Sequence, residues 1–303
     1  MAGVDNEEMC GVICVNKPEG FTSFDVIAKM RGILKIKRLG HAGTLDPMAT
    51  GVLPILLGRS TRLCSMILEA DKRYTAQVLL GTVTDTYDVT GRIVSQCDAV
   101  PKEKEIFPIL DKFRGKIMQT PPIFSALKKD GERLYDIARR GGTVEIEPRE
   151  VEIKELNVTE FDKNVLTVDV LCSKGTYIRS LAHGIGAALG CGACLKSLRR
   201  TATGGFDITQ CVTLDKLAES PQQYLQQADL CVAHLPKVTV TDNQRARYLH
   251  GGELFLSRVS CDKPIEQGEL CRVYDREGVF LGISEADGDS IKVKCLIFEG
   301  DAL

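Results

Sequence analysis

The chain has 303 residues, 44% of them hydrophobic and 26% charged, with a formal net charge of −2. That length buries a large core and suggests one large domain with a small one, or two, in the composition of an ordinary soluble globule. A slightly acidic balance gives no support to nucleic-acid binding, whose usual footprint is a basic excess. No stretch approaches the ~18 apolar residues of a membrane span, and Met1–Cys10 is too acidic and polar for a signal or transit peptide, so a cytoplasmic location away from membranes is expected.

In chain order, Gly11 to Asn16 reads as a strand. Thr22 to Asp25 fits a capping box, and Val26, Ile27, Met30, Ile33 and Leu34 continue it as a helical apolar stripe. Lys29, Arg31, Lys35, Lys37 and Arg38 form a basic cluster with no acid inside it. Such a cluster is a solvated helix face or a hold for phosphates. Gly40 to Gly51 comes next, with three glycines and a proline in twelve residues. It excludes a continuous helix or central strand and demands a shaped loop, anchored by the apolar run Val52 to Leu57. His41 and Asp46 are able to do proton or nucleophile chemistry there. On spacing alone, Leu45-Asp46-Pro47 reads as a turn in which the aspartate caps its own backbone.

Downstream, Tyr74, Ala76, Val78 and Leu80 alternate with Arg73, Thr75 and Gln77 as in a strand. Ile106, Ile109, Leu110 and Phe113 mark a second helix, and Gly131 to Arg140 a short third one. The third lies in a mobile-looking segment with a second basic cluster, Lys128, Lys129, Arg133, Arg139 and Arg140, diluted by Asp130, Glu132 and Asp136. Val151 to Val158 and Leu166 to Cys172 read as neighbouring strands joined by a turn at Asp162-Lys163-Asn164. Ile178, Leu181, Ala182, Ile185, Ala188 and Leu189 make a long helical stripe with Thr176 as its cap. Residues 215 to 235 are polar and Gln-rich around Pro221 and read as a linker. Leu270 to Tyr274, Val279 to Glu285 and Ile291 to Phe298 then read as short strands of a small β-rich domain able to close on itself.

Other chemical signatures fail. The twelve cysteines are scattered among hydrophobic positions and read as reduced core residues. Cys191-Gly192-Ala193-Cys194 lacks the second ligand pair of a metal site, and His41, His183, His234 and His250 supply none. Gly184 to Gly190 has the wrong spacing for a dinucleotide fingerprint, and Gly58 to Arg62 lacks the second glycine of a nucleophile elbow.

Asn16-Lys17-Pro18-Glu19-Gly20-Phe21-Thr22-Ser23, the Gly40–Gly51 loop, Asp71 to Tyr74, Thr84 to Asp88, Ser125 to Lys128, Ser173 to Arg179 and Leu198 to Arg200 are similar, in order, to motifs of the TruB family, the tRNA pseudouridine-55 synthases. The likeness covers about residues 10 to 215. It implies an α+β pseudouridine synthase fold with a mixed, mainly antiparallel central sheet flanked by helices, plus a small β-rich C-terminal domain. A catalytic domain over residues 1–220, with an RNA-binding insertion near 120–145, and a PUA-like RNA-binding domain over 235–303 are expected. The implied partner is the tRNA T-arm stem-loop, bound by a monomer.

The implied reaction cleaves the N-glycosidic bond, turns the base and forms a carbon–carbon bond at the same sugar. Nothing is oxidised and no group is donated, so neither cofactor nor metal is expected. One carboxylate at the sugar is needed in a site closed to water, as nucleophile or as base, and by motif Asp46 takes that role. Arg179 is implied to keep it ionised and oriented. Tyr74 is implied to stack on the target base, Tyr177 and Leu198 to line the pocket, Lys17 and Pro18 to shape its base, and His41 to enter the RNA where the flipped uridine leaves. Two rivals stand beside this reading: a related synthase with another RNA target, and a noncatalytic tRNA-folding chaperone with a relict pocket.

Overall fold

The computed structural model describes residues 9–129 and 131–298. Most of the acidic stretch at Met1–Cys10, and Asp130 of the second basic cluster, lie outside the described residues.

Gly11–Lys17 and Thr50–Leu57 pair antiparallel, and nearly every residue of both is buried. They open a nine-stranded sheet that continues through Ala193–Thr203, Lys72–Leu80, Val165–Cys172, Arg149–Asp162 and Gly115–Gln119. Among the described strands of this sheet, only the pairing of Thr50–Leu57 with Ala193–Thr203 is parallel and the other strand pairings are antiparallel. The sheet is therefore mixed and mainly antiparallel, as expected. Lys72–Leu80 buries every second residue, which is the predicted alternation.

Ser23–Leu34 is a helix whose Thr22 and Asp25 make the predicted capping box, and Val26, Ile27, Met30 and Leu34 are its buried stripe. With Glu103–Leu110 and Ile178–Leu189 it covers one face of the sheet, packing on Ile13, Val15, Leu53, Ile55 and Ala76. The third predicted helix is shorter than expected, Leu134–Arg139, after a two-residue hairpin at Lys128–Lys129 and Glu132–Arg133.

Ile178–Leu189 differs from expectation at both ends. Thr176 does not cap it: Tyr177 is the capping residue by position but not by side chain. The first turn is held by Gln119, which accepts from Tyr177 N and donates to Tyr177 O. Ala188 is exposed and Gly186 is buried in its place. A Cβ on Gly186 would sit 2.1 Å from the Ala193 nitrogen, so the close approach of the next strand sets which residue faces inward.

The segment read as a linker is folded onto the sheet. It forms the helix Leu214–Glu219 and turns at Pro221–Tyr224 and Ala228–Val232, and Gln226 bridges to Val12. Ala228, Cys231 and Val232 are buried with Val12, Leu56, Leu63, Ile67 and Phe206 in a second core. The cause is the apolar character of both sheet faces here: Val12 and Leu56 point away from the helices that Ile13 and Ile55 meet, and need their own cover. Ile283, from the six-stranded C-terminal sheet, and Ile297, just past its last strand, complete that cover. The C-terminal sheet has a core of its own around Val238, Tyr248, Cys271, Val273 and Leu281.

Six cysteines, including Cys191 and Cys194, are buried. Burial pushes the Cys191 and Cys194 thiols up. Among the described residues no group of three or more His, Cys, Asp or Glu side chains is placed to hold a metal, and no helix is long and apolar enough to cross a membrane.

Candidate active site

Leu39–His41 and Thr50–Leu57 are the two legs of the glycine-rich loop, paired antiparallel. Ala42, Leu45 and Ala49 plug into the interior between them. Leu45 exchanges backbone hydrogen bonds with the Ser23 hydroxyl, and Gly20 N and the Lys17 amine donate to Pro47 O at 2.8 and 3.2 Å. Gly51 has φ +101°, and a Cβ there would lie 2.1 Å from the Arg200 carbonyl oxygen, so only glycine serves that turn. Asp46 stands at the crown.

The Asp46 carboxylate does not cap its own turn; only its backbone carbonyl does, accepting from Ala49 N. The carboxylate meets Arg179 on two points instead, Nη2 donating to Oδ1 at 3.1 Å and Nε lying 2.9 Å from Oδ2. Arg179 is 5% exposed and also donates to the carbonyls of Thr86 and Phe124. Burial pushes the Asp46 carboxyl above the usual carboxylate range; Arg179 opposes the shift and the charge of Asp88 adds to it.

A cavity of about 350 Å³ opens at this pair, lined by Asp46, Tyr74, Tyr177, Arg179 and Leu198 among others. Five of the eight expected site residues therefore meet in one place. Burial raises the phenols of Tyr74 and Tyr177, so both are neutral donors at physiological pH. Lys17 and Pro18 line a neighbouring cavity with Phe21 and Arg199. Lys17 is fully buried, its amine donates to the carbonyls of Pro18, Phe21 and Pro47, and desolvation lowers its pKa to about 8. Its place is beneath the loop that carries Asp46. His41 lies in the leg strand opposite Ile55, half-buried, with Nδ1 enclosed and unpartnered. Burial, aided by the Arg200 charge, lowers its pKa, so the ring is neutral. It does not line the Asp46 cavity.

The structure adds residues that the sequence reading left without a role. Asp88 is 4% exposed and its Oδ2 lies 3.7 Å from Arg179 Nη1. It follows Tyr87, which has φ +63° and stacks on His183 at 4.0 Å. Ser125 lines the cavity with a buried hydroxyl beside the Tyr177 phenol. Lys72 and Arg200, both nearly inaccessible, line it too. The motif runs contained all four, Asp88, Ser125, Lys72 and Arg200, but nothing in one dimension says which polar residue of a run faces inward.

The five residues of the first basic cluster are all exposed, around an exposed Phe24 whose ring lies 6.0 Å from the Arg31 guanidinium carbon. In the second, Arg140 pairs with Glu132 and Arg139 covers the Tyr135 ring.

Residues 31–178 match the family model of the TruB family pseudouridylate synthase N-terminal domain. Residues 179–235 match the tRNA pseudouridylate synthase B C-terminal domain, and 236–297 the C-terminal region of pseudouridine synthase II TruB. The chain is 43% identical to the tRNA pseudouridine synthase B of Azoarcus sp. (strain BH72), over 95% of this chain and 94% of that protein. It is 41% identical to the protein of the same name in Clostridium kluyveri, over 91% and 95%. Among solved structures, a chain of an H/ACA RNP bound to a substrate RNA containing 2′-deoxyuridine superposes with a TM-score of 0.78 at 27% identity, covering 96% of this chain and 86% of that one. A chain of a Cbf5-Nop10-Gar1 complex gives 0.77 at 29% identity, with coverage of 95% and 85%. The fold is that of the pseudouridine synthases.

Proposed function

Since the chain belongs to the TruB family of pseudouridylate synthases, we propose that it converts uridine 55 in the T-arm loop of tRNA to pseudouridine, with Asp46 as the catalytic carboxylate. The observation that carries this reading is the Asp46–Arg179 pair at the mouth of a cavity walled by Tyr74, Tyr177 and Leu198.

The uridine flips out of its stack and enters the cavity. Asp46 acts at the sugar, by attack on the carbon or by removal of a ribose proton, while the glycosidic bond breaks. The freed base turns, its carbon bonds to the same sugar carbon and gives up its proton, which Tyr74 helps to move, and the freed ring nitrogen takes up a proton, so atoms and charge balance. Arg179 keeps Asp46 ionised against the pull of burial and aims it. Tyr74 lies under the base as a neutral phenol, and Tyr177 and Leu198 hold its edges. Lys17 and Pro18 support the loop from below. His41, uncharged, enters the RNA by stacking where the uridine left. Residues 1–220 carry the chemistry. The insertion near 120–145, the exposed cluster from Lys29 to Arg38 and a PUA-like domain over 235–303 hold the RNA, with one chain sufficing in the cytoplasm.

Asp46→Asn tests the reading. It keeps size and most hydrogen bonding but removes the nucleophile or base. Pseudouridine mapping in incubated tRNA is expected to find no product, with tRNA affinity within a few-fold of the parent. Measurable turnover by the pure variant refutes the assignment. A chaperone without catalysis makes no use of a carboxylate held by a buried guanidinium, and product in the parent reaction excludes it.

A further inference from the structure

Leu198-Arg199-Arg200 places two arginines side by side on a strand, so their side chains leave opposite faces. Arg199 is exposed; Arg200 is 1% exposed and among the largest wholly buried side chains. Among the described residues no carboxylate forms an ion pair with Arg200. A guanidinium buried without a counter-charge is expensive, and a hydrophobe of similar size would fill the space more favourably. What a hydrophobe lacks is the rigid fork of donors.

The fork is used. Nε donates to Val52 O at 2.7 Å and Nη2 to Gly43 O at 3.1 Å. These carbonyls belong to the two feet of the loop that carries Asp46. The backbone of Arg200 also stands in register with Gly51 on one side and Tyr74 on the other. Where the arginine passes, both feet are glycine with positive φ: Gly51 at +101° and Gly43 at +91°, the latter only 3.1 Å from Nη1 at its Cβ position. One side chain therefore spans the loop's entry and exit and touches the strand that presents Tyr74.

We propose that Arg200 is a positioning residue of the reaction: by bridging Gly43 and Val52 it sets the height of the Asp46 carboxylate over the cavity relative to Tyr74. The inference rests on the reading of Asp46 as the catalytic carboxylate.

The test compares full-length Arg200→Met, Arg200→Lys and Asp46→Asn with the parent. The measurements are single-turnover rate at saturating tRNA, tRNA affinity and melting temperature. A misplaced reacting group costs about 10²-fold, so Arg200→Met should lose rate on that scale while tRNA affinity stays within a few-fold and the chain is folded at the assay temperature. Arg200→Lys keeps the charge but reaches one carbonyl, so its rate should lie between the two. A parent-like rate in Arg200→Met overturns the proposal, as does a loss that appears as weaker tRNA binding at full rate. Should Arg200→Met fail to fold, the same criteria apply to Arg200→Lys. Turnover by Asp46→Asn overturns the catalytic reading and this proposal together, whereas an inactive Asp46→Asn beside a fully active Arg200→Met overturns the role of Arg200 alone.

Discussion

At Asp46, burial and ion pairing pull in opposite directions. Desolvation favours the neutral acid, Arg179 favours the carboxylate, and Asp88 on the far side of the same guanidinium pushes back toward the acid. The balance lies above the usual carboxylate range, so the reaction should show an acidic limb as Asp46 takes up a proton. Asp88→Asn removes one of the causes that lift Asp46. The acidic limb of the single-turnover rate should then move to lower pH; movement upward contradicts the assignment. Lys17 offers a second titration. Its amine is held at about 8 against the usual lysine value of 10.5. The folded chain releases this proton before the unfolded one, so between those values the unfolded state binds more protons and the contribution of Lys17 to stability rises with pH. Urea unfolding of the parent and of Lys17→Met should show the parent gaining on the variant from about pH 8 to 10.5, the window the shift defines. A flat or falling difference contradicts it.

The helix Ile178–Leu189 matters because it carries Arg179 in its first turn and lies against the strand Ala193–Thr203 that carries Leu198 and Arg200. Gly186 is the point of closest approach, where a Cβ would meet the Ala193 nitrogen at 2.1 Å and the Ala193 Cβ at 2.4 Å. The obstacle is backbone, which does not turn aside as a flexible side chain does. Gly186→Ala should therefore destabilise the fold by about 1–3 kcal/mol in spite of the better helix propensity of alanine. It should also slow turnover, because the helix shifts together with Arg179. A denaturation midpoint at or above the parent value would show that the two elements have room to spare.

Over the whole molecule the second core decides how independent the parts are. Ile283 of the C-terminal sheet and Ile297, just past its last strand, share a cluster with Leu56, Leu63, Ile67 and Phe206 of the N-terminal part. Arg59 and Arg62 donate to the carbonyls of Phe298 and Leu296 across the same seam. The sequence suggests a β-rich unit closing on itself after a polar linker. The shared cluster argues against that. Uncovering several apolar side chains at about 1.5–3 kcal/mol each should leave a chain truncated at Leu235 insoluble, or melting lower by roughly 10 °C or more. The full chain should melt in one transition. A soluble truncated chain with the parent melting temperature and a higher KM would restore the independent unit.

Local chemistry was legible in one dimension. The Thr22–Asp25 box, the alternation from Tyr74 to Leu80, the hairpin at Asp162 to Asn164 and the glycine-bound loop around Asp46 all follow from interactions between residues close in sequence, and the structure has them. The ordered motifs also named five residues that line one cavity, Asp46, Tyr74, Tyr177, Arg179 and Leu198. What the chain order does not carry is which polar side chains turn inward and what covers the second face of a sheet. Asp46 and Arg179 are 133 residues apart, and only the strand order brings them to 3.1 Å. Arg199 and Arg200 are chemically alike, and the pleat alone sends one to solvent and the other under the loop. The polar stretch after Asp215 reads as a linker because few of its residues are apolar; Ala228, Cys231 and Val232 suffice to dock it, because Val12 and Leu56 leave an apolar face that water disfavours. Burial, and the pKa shifts and close packing that come with it, belongs to residues brought together by the tertiary fold.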